Sequence, residues 1–148
     1  MNNEQQSEQQ KAIRRFFIGS FFIALVCAAL GYLFVTLMTP SSDEAVLIFF
    51  YTFFIVFISS AITTFVFYIT QEKASSYYCR YFLLALLMPF FLIPILITLF
   101  DLIYLNRWHD AIDMLVANYL GYSILCGIVG VAQLVLAQAC FIKIWDTQ

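Results

Sequence analysis

Four stretches of this chain carry no charged side chain: 16–38, 45–70, 81–100 and 114–142, of 23, 26, 20 and 29 residues. A helix rises about 1.5 Å per residue and a bilayer's hydrocarbon core is roughly 30 Å thick, so each stretch is long enough to cross. Together they take 98 of the 148 residues. The other 50 are scattered over 1–15, 39–44, 71–80, 101–113 and 143–148, and none of these segments could bury a core of its own. With 64% hydrophobic and 11% charged residues, the chain lies far from a soluble domain, in which about half the residues are apolar and about a quarter are charged.

The expected fold is therefore all-α: an integral membrane protein with four transmembrane helices, about 16–38, 45–70, 81–104 and 110–142, in an antiparallel bundle. The polar, Gln-rich segment 1–15 is expected as a disordered or frayed tail, and 143–148 as a second short tail. Lys11, Arg14 and Arg15 before an apolar run suggest a signal peptide. That run continues to Met38, beyond the 7–15 residues of a signal core, so it reads as an uncleaved first span.

Lys and Arg resist translocation and so set orientation. On alternate sides they divide into Lys11, Arg14, Arg15, Lys73, Arg80 and Lys143 against Arg107 alone, which places both termini in the cytoplasm. The opposite face is acidic, with Asp43, Glu44, Asp101, Asp110 and Asp113. Aromatic residues fit interfacial belts: Tyr51, Tyr104, Trp108 and Tyr119 outside, Tyr68, Tyr77, Tyr78, Tyr81 and Trp145 inside. The four Cys show no zinc-type spacing and lie in spans or on the reducing side, so they read as small apolar residues.

Lipid provides no hydrophobic drive for helix association, and small residues with interhelical hydrogen bonds must supply it. Ser20, Ala24, Cys27, Ala28 and Gly31 share one edge of the first span, and Thr52, Ser59, Thr63 and Thr70 one edge of the second. The fourth carries Ser123, Cys126, Gly127, Gly130, Gln133, Ala137 and Cys140 on one face, leaving Leu125, Ile128, Val129, Val135 and Leu136 for lipid. The third has no such seam and is expected at the periphery. Its Pro89 and Pro94 lack amide hydrogens and release the carbonyls of Ala85 and Phe90, which predicts a kink.

The most polar internal passage, "LNRWHDAIDML", holds Arg107, Trp108, the single His109, Asp110 and Asp113. Asn106 suits an N-cap, and Arg107–Asp110 and His109–Asp113 have helical pairing distances. Ser41 and Glu44 likewise have capping-box spacing. One His among carboxylates is too weak a pattern for a metal site. Trp108 and Arg107 are residue types that dominate protein contacts, so this stretch is the candidate outer-face partner site.

No charged group lies inside a span, and no HExxH, GxSxG, phosphate-loop or dinucleotide fingerprint occurs, so no enzyme and no cofactor are expected. A net charge of −2 gives no footprint for nucleic acid. The expected partners are the lipid bilayer and another membrane protein or copies of the chain itself. The expected function is a small inner-membrane protein of bacterial type acting by helix–helix association, as an accessory or assembly subunit or a homo-oligomer. A membrane immunity or exclusion protein against a pore-forming toxin, phage or conjugation partner is the alternative, and a small oligomeric channel or transporter a further one.

Overall fold

The computed structural model describes residues 3–38, 42–70, 78–105 and 108–145, with side chains described over 6–38, 43–70, 82–104 and 108–141. Among these residues the chain is all-helical: α1 (Asn3–Met38), α2 (Ser42–Thr70), α3 (Tyr78–Leu105), a 3-10 turn (Trp108–Asp110), α4 (Ala111–Gly121) and α5 (Ser123–Trp145). Four of the five α-helices, all but α4, are long and apolar enough to cross a membrane.

Two boundaries differ from expectation. Residues 3–15 of the polar segment are helical instead of frayed: they form the first turns of α1, and Gln9, Ala12 and Ile13 are buried. The Gln-rich composition hid an apolar edge, Ala12, Ile13 and Phe16, that packs against Phe67, Ala137 and Phe141. The helix expected over 110–142 is instead two, parted at Tyr122, where φ is −102° and ψ 8°. Hydrogen bonds continue across the break, from the Tyr122 amide to the Asn118 carbonyl (3.0 Å) and from the Cys126 amide to the Tyr122 carbonyl (2.9 Å). Ser123 Oγ donates to the Leu120 carbonyl at 3.0 Å, the kind of side-chain back-bonding that bends a helix.

The helices form a ring in which α1 packs on α2 and α5, and α3 packs on α2 and α5. Phe16 meets Phe67 with ring centroids 5.0 Å apart, while Gly31 lies beside Thr52, so residues on α2 fall in number as those on α1 rise. This register brings the start of α1 and the end of α2 together with Ala85 and Phe141, at what we call the terminal end of the bundle. The opposite, hairpin end holds the close of α1, the start of α2, the close of α3 and α4.

The third span is not peripheral. Ala85, Pro89, Ile93, Pro94, Ile97 and Thr98 of α3 are buried, and its contact with α5 is among the most extensive in the molecule. The missing small residues are supplied by the partner helix: a Cβ on Gly130 would stand 2.7 Å from the Leu86 carbonyl oxygen, so only glycine allows this approach. Val129, assigned to lipid from its place on the helical wheel, is fully buried in the second core cluster with Ala24, Val56 and Ile93. Leu136, also assigned to lipid, lies over Gly19, where a Cβ would be 2.5 Å from its Cδ1.

Candidate functional site

The interior is polar at its middle. Ser20, Ser59, Ser60, Thr63 and Gln133 are all buried, Gln133 completely (0% exposed). Gln133 Nε2 donates to Ser60 Oγ at 2.6 Å, a bond that ties α5 to α2. As donors, the hydroxyls of α2 bond within their own helix and not across to a neighbour as the sequence suggested. Ser60 donates to the Val56 carbonyl, Thr63 to Ser59, Thr64 to Ser60 and Thr70 to Val66, each one turn back in its own helix. In a medium without water the nearest acceptor is the helix's own carbonyl, and a short side chain reaches it without any neighbour.

The small-residue seams are occupied inside the bundle. Ser20, Ala24 and Ala28 of α1 are buried, and a Cβ on Gly31 would meet Thr52 Oγ1 at 3.6 Å, ordinary contact. On α5, Gly127 faces Phe90 at a looser 3.8 Å, and Gly130 makes the closest approach.

At the hairpin end the packing thins, although Ala45 and Leu102 are still buried. No residue of α1 after Ala28 is buried, and none of α4 is. Between α2, α3 and the start of α5 this leaves a crevice of about 450 Å³ whose polar lining is Tyr51, Thr52, Asp101 and Tyr122, over a floor that includes Val56 and Ile97. Tyr51 stacks edge-on against Phe100, with centroids 4.9 Å apart. Burial pushes the Tyr122 phenol above its ordinary range, and the nearby Asp101 carboxylate adds to the shift.

Asn118 closes this side. Its Nδ2 lies 3.0 Å from Thr98 Oγ1 and 3.3 Å from Asp101 Oδ2, so one amide clasps α4 to α3 and steadies the carboxylate. Thr98 in turn donates to the Pro94 carbonyl at 2.8 Å. Tyr119 OH donates to the Phe91 carbonyl at 3.4 Å, beside the stretch of α3 where Pro94 removes a backbone donor.

The polar passage is only partly drawn together. Trp108 and His109 are exposed on the 3-10 turn, and Asp113 is exposed on α4. His109 Nε2 lies 3.8 Å from its neighbour Asp110 rather than pairing with Asp113. Asp110 stands at the N-cap of α4 without a side-chain capping bond. Arg107, Asn106 and Ser41 lie outside the described residues. Among the described residues no three His, Cys, Asp or Glu side chains gather as a metal site. The crevice residues Tyr51 and Tyr122, and the Asn118 clasp beside them, were not foreseen. The available signal was Asp101, a carboxylate one residue beyond an uncharged run and so one that faces protein or water.

No family model, curated protein or solved structure matches this chain.

Proposed function

We propose that this chain is a small non-enzymatic membrane protein that works by helix–helix association, with another membrane protein or with copies of itself, in a bacterial plasma membrane. In this reading the helices run antiparallel, α3 bends at Pro89 and Pro94, and both ends of the chain lie in the cytoplasm. The excess of Lys and Arg at the terminal end supports that orientation.

One observation carries the reading: at the hairpin end the second half of α1 and α4 each keep one apolar face uncovered. Leu33, Phe34 and Leu37 on α1, and Ile112, Val116 and Leu120 on α4, are more than half exposed, and the two helices share no extended contact. A further helix would cover these two faces. Trp108, on the 3-10 turn that leads into α4, is exposed as well, an anchor of the type that dominates protein contacts.

Photo-crosslinking in native membranes tests this. A reactive residue in place of Phe34 or Leu120 is expected to give discrete protein adducts, and one in place of the buried Phe67 none. Lipid adducts alone from the first two positions would remove the proposal. The captured chain then separates the forms of association: a resident complex, a second copy, or a toxin, phage or conjugation component as an immunity protein requires.

A further inference from the structure

A second hollow lies on the far side of the Tyr51–Phe100 ring pair, between α2 and α3, with a volume of about 510 Å³. Apart from Tyr51, every side chain that lines it is hydrocarbon, including Phe50, Phe54 and Ile58 of α2 and Leu96 and Ile103 of α3. It is a groove with a direction. Leu47 and Ile103 stand at the hairpin end, Ile58 and Leu96 towards the middle of the bundle. From Leu47 to Ile58 the helix rises about 16 Å, close to the roughly 15 Å depth of one leaflet's hydrocarbon.

At its shallow end the groove meets the crevice, for Leu47, Tyr51, Ile55 and Phe100 line both. Asp101 follows Phe100 in the chain and faces the crevice side, clasped by Asn118. An apolar trough one leaflet deep thus ends beside a carboxylate and two phenols, at headgroup depth. Among the described residues the charged side chains around that end are Asp43, Glu44, Asp101, Asp110 and Asp113, with no Lys or Arg; Arg107 lies outside the described residues. An anionic headgroup meets like charge in this setting. An ammonium group can donate to Asp101 and to the tyrosine oxygens, a charge-assisted pairing stronger than a neutral one.

The geometry points to a site for one diacyl lipid whose headgroup carries a protonated primary amine, with an acyl chain in the α2–α3 groove and the amine at Asp101 in the crevice. The inference rests on the chain lying in a bilayer and is independent of any protein partner.

The test is native mass spectrometry of the purified full chain from micelles holding equal amounts of dioleoyl phosphatidylethanolamine, phosphatidylcholine and phosphatidylglycerol. The ethanolamine lipid is expected to be retained about tenfold over each of the others, the effect of one charge-assisted hydrogen bond. Phosphatidylcholine keeps the positive charge without N–H donors, so the comparison needs no variant and survives any folding defect. Asp101→Asn is expected to bring the three within about twofold of one another, as loss of that charge requires. Ile58→Trp, at a partly lipid-exposed position, fills the deep end and is expected to lower retention about fivefold, the effect of crowding one apolar contact. Equal retention by the wild-type chain, a preference for the glycerol lipid, a preference unchanged in Asp101→Asn, or full retention in Ile58→Trp would each overturn the site.

Discussion

At the terminal end, Phe16, Phe67 and Phe141 fill the space between α1, α2 and α5, with the Phe67 and Phe141 rings perpendicular at 5.9 Å. At the hairpin end the same ring of helices opens onto a crevice lined by Tyr51, Asp101 and Tyr122. In water such an opening would expose apolar surface at about 25 cal/mol per Å². In lipid the apolar walls are solvated by acyl chains at no such cost, and only polar groups must find partners. The two ends therefore differ in what holds them. One is closed by shape, through aromatic packing; the other is held by a polar clasp of Asn118, Thr98 and Asp101, and the Gly130 approach lies between them.

The largest break in this contrast comes from Phe67→Ala. Removing a fully buried ring from the terminal core is expected to lower stability by about 3 kcal/mol, whereas Phe34→Ala at the open end is expected to stay within about 0.5 kcal/mol. Denaturant titration of both variants in the same detergent gives the comparison, and equal effects would erase the distinction between the halves.

Next in size is Gly130→Ala. Its methyl would collide with the Leu86 carbonyl, a backbone atom that cannot swing aside, and a cost of about 2 kcal/mol is expected. Gly31→Ala is the control, since its methyl meets Thr52 and Ile48 at ordinary contact distance. If thermal unfolding in detergent shows the two variants alike, the close approach of α3 and α5 is not what holds them.

The smallest effect sharpens the contrast most. Asn118→Ala removes the clasp and is expected to cost about 1 kcal/mol. Its signature is local: amide exchange should quicken over 111–121 while protection of the buried turns around Phe16 and Phe67 is unchanged. Uniform loss of protection would mean that α4 is integral to the core.

Much of this architecture was legible in the sequence because lipid leaves a backbone few choices. The uncharged stretches correspond to four long helices, and small or polar residues such as Ser20, Ala24, Ser59 and Gln133 do mark buried edges. What was hidden depends on which element faces which. Val129 and Leu136 lie on the flank of the α5 wheel, and only the position of α1 and α3 decides that they are covered. Pro89 and Pro94 gave no sign that α3 would be central, because its close contact relies on a glycine of another helix. The hydroxyl row on α2 has the spacing expected of an interhelical ladder, yet back-bonding within a helix follows the same spacing. The crevice was the least readable feature, since Tyr51, Asp101 and Tyr122 are far apart in sequence and meet only where helices part. The break at Tyr122 leaves the uncharged pattern intact, for a single bridge-region residue does not alter hydropathy.

The opening turns of α1 have a mechanical meaning. Between Asn3 and Phe16 the helix holds no proline or glycine, and Lys11 Nζ pairs with Glu8 Oε1 at 2.7 Å along its surface. Thirteen residues at about 1.5 Å each make a rod of roughly 20 Å whose second half, from Gln9 to Phe16, is seated in the terminal core. Only the turns before Gln9 project beyond the packing, so a spin label or dye placed near Asn3 would report small rotations of the first helix against that aromatic joint.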